Sequence, residues 1–198
     1  MFAAMSRGAK IILGLWVVVI VAFTAWIVVD VTRSDGAKVA IGGPFTLTDH
    51  DGRRVTEADF KGKPTLIYFG FTYCPDVCPT SLLLMQTALE QLGKGADEKV
   101  NVVLVTVDPE RDTPAVLKDY VGNFGPRFIG LTGTPAEIAA VAKSFRVYYR
   151  KVEGKDGAPY LMDHSSIFYL LDRNGRFVQH FSHQSRAEDI AAAVKRYM

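Results

Sequence analysis

The chain has 198 residues with 23 lysines and arginines against 21 aspartates and glutamates, a formal net charge of +2. That length suits one domain of common size with its own core. Nucleic-acid binders carry a basic excess or stripe, so the near balance of charge excludes a nucleic-acid partner.

In chain order, the first feature is residues 11–29, nineteen positions without a charge, close to the ~20 that cross a bilayer as a helix. Trp16 and Trp26 stand near its ends. Arg7 and Lys10 precede it and Arg33 and Lys38 follow, so basic residues orient it weakly, and the free amino terminus tips the count toward an inside amino end. A cleaved signal fits poorly: cleavage after Ala25 would put Phe23 three positions upstream, and the apolar run continues through Val29. A single-pass anchor is expected over residues 11–29, with residues 1–10 cytoplasmic and residues 30–43 a Gly-rich tether. The short charged amino end suits a bacterial inner membrane, with the domain on the periplasmic or extracytoplasmic side. Setting aside residues 1–33 removes three of the 23 basic and one of the 21 acidic residues and leaves 20 of each.

The domain, residues 44–198, reads as an α/β chain. Residues 45–48 and 54–55 flank a turn and predict a hairpin, and Thr56 with Asp59 opens a short helical turn. Residues 64–70 form an apolar run between breakers, the signature of a strand buried on both faces. Helices are predicted over residues 79–92, 114–124, 135–145 and 186–197, with Thr113 and Thr134 as caps. Strands are predicted over residues 100–107, 128–131, 147–152, 167–171 and 177–181. The alternation implies a thioredoxin-like order with a central mixed sheet flanked by helices: parallel strands first, then an antiparallel pair. No internal repeat or low-complexity segment interrupts it.

The only two cysteines lie in Cys74-Pro75-Asp76-Val77-Cys78-Pro79, just after the buried strand and at a helix start. Amide groups and the dipole at a helix amino end favour a thiolate. With three residues between them, the sulfurs can share one face of a turn and either chelate one ion or form a bond. Two thiolates select soft ions, copper(I) above all, whereas structural zinc normally takes four ligands. His164, before the strand at 167–171, is a candidate third ligand that would suit copper(II) as well. Against these readings stand a static disulfide for the cysteines, which would constrain so small a loop little, and a plain hydrogen-bonded role for the histidine.

Three segments carry a family likeness: Phe69-Gly70-Phe71-Thr72-Tyr73-Cys74-Pro75-Asp76-Val77-Cys78-Pro79, Val107-Asp108-Pro109-Glu110-Arg111-Asp112-Thr113-Pro114, and Asp163-His164-Ser165-Ser166. Together, in this order, they resemble the Sco/SenC family of copper proteins over about residues 41–198. The resemblance implies a thioredoxin-like domain binding copper(I) and copper(II) through Cys74, Cys78 and His164. It also implies a role in assembling the copper A site of cytochrome c oxidase subunit II or a related copper acceptor, with a copper donor protein upstream. The competing reading is a thiol-disulfide oxidoreductase acting through Cys74 and Cys78, although thioredoxins space the pair by two residues and carry a proline before a strand, absent between Leu161 and Leu171. A peroxidase is a more distant third.

Other polar residues read more plainly. Asp112 is expected to start the helix at 114, Asp76 to cap the cysteine helix, and the likeness raises Asp108 as a residue supporting the site or meeting a partner. His180 and His183 read as exposed, His50 as a turn residue and Met162 as packing. The loop over residues 153–159, with two glycines, is expected to be mobile.

Overall fold

The computed structural model describes residues 7–33, 41–95, 97–154 and 157–198. The chain divides into two compact units between residues 39 and 40. The first holds one helix, α1 (Arg7–Arg33), whose described large side chains, including Leu13, Trp16, Phe23 and Trp26, are exposed. Among the described residues no helix is long and apolar enough to cross a membrane. The expected anchor lies partly outside that description, as do the side chains of residues 11, 12, 14 and 27–29 and, in the tether, residues 34–40.

The second unit is built on a seven-stranded sheet. Its strands are β1 (Thr46–Asp49), β2 (Arg54–Thr56), β3 (Thr65–Gly70), β4 (Asn101–Thr106), β5 (Phe128–Thr132), β8 (Ile167–Leu171) and β9 (Phe177–Ser182), in the order β2-β1-β5-β4-β3-β8-β9. β3 pairs parallel with β4, and β4 with β5, while β1, β2, β8 and β9 join antiparallel. Every residue of β3 is buried, as its unbroken apolar run requires of a strand covered on both faces. The parallel strands are linked through α2 (Val77–Glu90) and α3 (Pro114–Gly122), and α4 (Pro135–Ser144) and α5 (Ala187–Lys195) follow later in the chain. α2 packs against α5, and α3 against β5.

Local chemistry sets the boundaries. Thr113 caps α3 by accepting from the Val116 amide, with Pro114 at the first helical position. Thr134 and Glu137 close a capping box on α4. α2 begins two residues earlier than its sequence suggests, so Cys78 lies inside the helix, and Asp76 stands at the cap position without a side-chain capping bond.

One element departs from the expected plan. β6 (Tyr149–Val152) and β7 (Leu161–His164) form a separate two-stranded antiparallel sheet. His164 is therefore the last residue of its own strand rather than a loop residue at the edge of the main sheet. Strand alternation puts Met162 and His164 on the inward face, while Leu161 and Asp163 face solvent. Ahead of β7, the 153–159 loop lies partly outside the described residues, at 155 and 156.

Candidate metal centre

β3 delivers the chain to the site, at the carboxyl edge of the sheet where α/β folds place their ligands. Between β4 on one side and antiparallel β8 on the other, the segment after Gly70 turns over the sheet, with the Cys74 amide donating to the Phe71 carbonyl at 3.3 Å. Cys74 is half-buried at the turn and Cys78 is buried at the second residue of α2; neither is in a disulfide. The Cys78 amide donates to Cys74 Sγ at 3.4 Å. Thus the helix end directs a backbone N–H at the outer sulfur, as helix starts do for anions.

Gly70 makes room for the inner sulfur. A Cβ at that position would lie 2.9 Å from Cys78 Sγ and 2.8 Å from Tyr68 Cε1. The Tyr68 hydroxyl points to the same sulfur at 3.8 Å. From the other side His164 Nε2 reaches Cys78 Sγ at 3.3 Å. His164 Nδ1 faces the Ser165 carbonyl at 3.3 Å, an acceptor for a proton on Nδ1 when Nε2 serves as the ligand atom. Tyr68 and Phe71 meet the imidazole edge-on, with ring centroids 6.0 and 5.8 Å away. The two cysteines and the histidine each bring one ligand atom within 4.8 Å of the other two.

The two thiols divide one proton. The hydrogen bond from Cys78 does most to hold Cys74 at about 4, against the effect of burial, with help from His164 and the Asp76 and Cys78 amides. Cys78 is pushed upward by the bond it gives to Cys74, then by burial. The pair therefore presents a half-exposed thiolate beside a buried thiol. Two soft donors and an imidazole, with the rings of Tyr68 and Phe71 beside them, are a donor set that fits a copper ion.

Supporting residues lie on the turn after β4. Asp112, expected as a helix cap, is instead buried and accepts from Thr72 N at 3.0 Å, Thr72 Oγ1 at 2.6 Å and Thr106 Oγ1 at 2.6 Å. It thereby ties the cysteine loop to β4, and burial raises its pKa against those bonds. Asp108 is buried too, bonded to Arg111 and the Tyr160 hydroxyl. Arg111 and Tyr160 were not singled out by sequence reasoning. Arg111 lay in a motif that carried the family likeness, but nothing in its spacing reveals the rings that surround it. His180 and His183 are exposed, and Met162 packs against the core. His50 accepts the Gly130 amide at 2.9 Å and stays in its turn.

A thioredoxin-like domain with two cysteines and a histidine gathered at one sheet edge defines a thiolate-imidazole metal-site protein. Residues 33–198 match the SCO1/SenC family model, and the chain belongs to that family. Among solved structures, that of Bradyrhizobium japonicum ScoI with copper bound is 55% identical, with a TM-score of 0.74, covering 80% of this chain and all of that one. BsSco, described with a disulfide switch and as a member of the Sco family of cytochrome c oxidase assembly proteins, is 31% identical, with a TM-score of 0.64, over 79% and 92% of the two chains. The mitochondrial Protein SCO1 homolog 1 of Arabidopsis thaliana is 45% identical over 157 residues, 79% of this chain. The match spans about half, 47%, of the Arabidopsis protein's length.

Proposed function

We propose that this protein is a copper chaperone that binds the ion through Cys74, Cys78 and His164 and passes it to the copper A site of cytochrome c oxidase subunit II or a related acceptor. The observation that carries the reading is the convergence of two sulfurs and one imidazole nitrogen within 4.8 Å. Copper bound to ScoI and the oxidase-assembly role stated for BsSco's family support it. Copper is the cargo. Two thiolates suit copper(I), and the imidazole extends the set to copper(II). The half-exposed Cys74 is the ligand an incoming acceptor thiolate reaches first, so release proceeds by exchange from the outer sulfur inward. A donor protein would load the site by the reverse exchange.

The same proposal places the domain outside a bacterial inner membrane, held by a single-pass anchor at residues 11–29. Support comes from the charge-free run of residues 11–29, close to the ~20 that cross a bilayer as a helix.

The test is anaerobic copper loading of the reduced, detergent-solubilised chain, read by metal analysis and by the thiolate-to-copper charge-transfer spectrum after oxidation. One copper per chain is expected, with loss of stable loading in Cys74→Ala, Cys78→Ala and His164→Ala. Unchanged retention in all three variants would refute the reading.

The division of acidity between the cysteines supports a second activity, thiol-disulfide exchange. The Cys74 thiolate attacks a partner disulfide, releasing one partner thiolate, and Cys78 then attacks Cys74 Sγ to release the second. Two electrons pass to the partner, leaving a Cys74–Cys78 disulfide that an external dithiol must reduce. Reduction of an oxidase copper-site disulfide by copper-free His164→Ala would favour this activity over metal transfer.

A further inference from the structure

The third ligand sits on a sheet that shares no ladder with the rest of the domain, so something else must hold it against the sulfurs. Tyr149 and Met162 pack on the core and the rings of Tyr68 and Phe71 meet the imidazole, while the contacts that join the start of β7 to the cysteine loop converge on one side chain. Arg111 follows β4 on the turn that begins at Asp108, and its guanidinium lies 3.7 Å from the centroid of Tyr160 and 4.7 Å from that of Tyr73. Tyr73 is next to Cys74 in the chain, and Tyr160 immediately precedes β7. Arg111 also donates to the Tyr160 carbonyl through Nη1 at 2.9 Å and to Asp108 through Nε. Asp108, buried, takes the Tyr160 hydroxyl on its other oxygen at 2.8 Å. One planar cation is thus wedged between the ring beside the first cysteine and the ring before the histidine strand, with a buried carboxylate fixing its orientation.

The outer edge of this cluster adds a weaker tie. Lys151 of β6 pairs with Glu110 at 3.1 Å and sits 3.9 Å from the Tyr160 ring. Both charged groups are exposed, so the pair contributes little by itself. Two-stranded sheets are marginal when alone; Tyr149 and Met162 pack this one on the core, and the Arg111 contacts fasten its other end, at Tyr160 beside Leu161. A lysine cannot replace them, because a point ammonium lacks the fork that bonds Asp108 and the Tyr160 carbonyl together and the plane that stacks between the rings.

We infer that Arg111 is the positioning residue of the metal centre, a clasp that joins the cysteine loop to the β6–β7 hairpin and sets the approach of His164 to Cys74 and Cys78. The inference rests on the copper-binding reading for its consequence, although the clasp itself is a property of the metal-free fold. Loosening it leaves the two sulfurs in place and frees the imidazole, so copper(II), which draws on the nitrogen, is affected more than copper(I).

The test compares the reduced, metal-free chain with Arg111→Ala and Arg111→Lys by amide hydrogen exchange, then by copper(I) and copper(II) binding. Exchange across β6 and β7 should rise by roughly tenfold or more in both variants while the α5 amides, which report global unfolding, stay at the wild-type rate. Copper(II) affinity should fall by about 10–100-fold, as for loss of a group that orients a ligand, with copper(I) stoichiometry retained. Unchanged hairpin exchange in both variants overturns the inference, as does equal acceleration in α5, which would make Arg111 a general stabiliser. Full recovery by Arg111→Lys would also overturn it, since charge alone would then suffice. If the wild-type chain fails to load copper, the copper reading falls while the exchange data still decide the clasp.

Discussion

Replacing Gly70 with alanine adds one methyl group at the carboxyl end of β3, and the structure says where it would go. Gly70 does not have a positive φ, so alanine meets no backbone penalty there, and any effect comes from contact alone. The new carbon would stand 2.9 Å from Cys78 Sγ and 2.8 Å from Tyr68 Cε1. Non-bonded heavy atoms rest at about 3.5–4.0 Å, so the sulfur and the ring must each retreat by roughly 0.6–1.2 Å. Neither has an easy route, because Tyr68 and Cys78 are both fully buried. Overpacking of this kind costs about 1–3 kcal/mol, which lowers the urea midpoint by roughly 1 M for a slope near 2 kcal/mol/M. The displaced sulfur also leaves the imidazole that now faces it at 3.3 Å, so copper affinity should fall by about 10–100-fold. Gly122→Ala is the control: no atom lies within 4 Å of its Cβ, and at a helix end it should be neutral or stabilising by a few tenths of a kcal/mol. Urea denaturation of the metal-free chain and competitive copper titration read both effects. If Gly70→Ala matches the wild type in both, the glycine does not shape the sulfur pocket.

Thiol reactivity gives a second expectation. With Cys74 held at about 4, its alkylation rate in the reduced, metal-free chain should stay flat from pH 8 down to about 5 and drop only as the pH nears 4, while buried Cys78 is spared. Because the Cys78 hydrogen bond is the largest cause, Cys78→Ala should return the profile toward that of an ordinary thiol; a wild-type rate that climbs through pH 8–9 would contradict this. A third concerns the Arg54–Glu137 pair at the start of α4. The Arg54 bond, then the Thr134 amide, hold Glu137 at about 2, below its usual 4.5. The carboxylate's contribution is therefore complete above pH 4.5 and vanishes as the pH falls through 2. Glu137→Ala should cost about 1 kcal/mol at pH 7, and its denaturation curve should converge on that of the wild type near pH 2; a gap that persists at pH 2 would show that the effect is not the ionised cap.

What could be read from sequence follows from how local each signal is. β3, α3, α4, β8 and β9 were legible because their apolar periods, caps and breakers lie inside the segments they define. Cys74 and Cys78 were legible for the same reason, being the only thiols and standing at a strand-to-helix junction. β7 was not: Leu161 to His164 alternates as a strand should, but four residues with an aspartate and a histidine carry too weak a pattern to separate from a loop. Asp112 was misassigned because Asp-Thr-Pro fits a helix start equally well through either of its first two residues. Only the fold shows that Thr113 takes the cap and frees Asp112 to hold Thr72 and Thr106. Arg111, Tyr73 and Tyr160 meet across 38 and 49 positions of chain, a juxtaposition no local pattern encodes.

On the proposed copper-transfer reading, that long-range meeting bears on how one site would hold an ion firmly and still give it up. The two sulfurs are fixed by the densest part of the protein, since β3 is buried along its whole length and α2 carries Cys78 into the core. Moving either sulfur would disturb packing that resists change in steps of a single methylene. The imidazole is carried instead on four residues of a two-stranded sheet, held by Tyr149 and Met162 against the core, by the rings of Tyr68 and Phe71, and by the Arg111 contacts at the start of β7. Parts of a protein with few buried contacts open at lower free energy than the core, so a ligand on the hairpin can leave while both sulfurs stay. An ion held by all three ligands is retained, whereas an ion held by two sulfurs, one of them half-exposed, is open to a competing thiolate. On the copper-transfer reading proposed above, movement of His164 would ease release without unfolding the site, and the contacts of Arg111 with Tyr73, Tyr160 and Asp108 are one restraint on that movement.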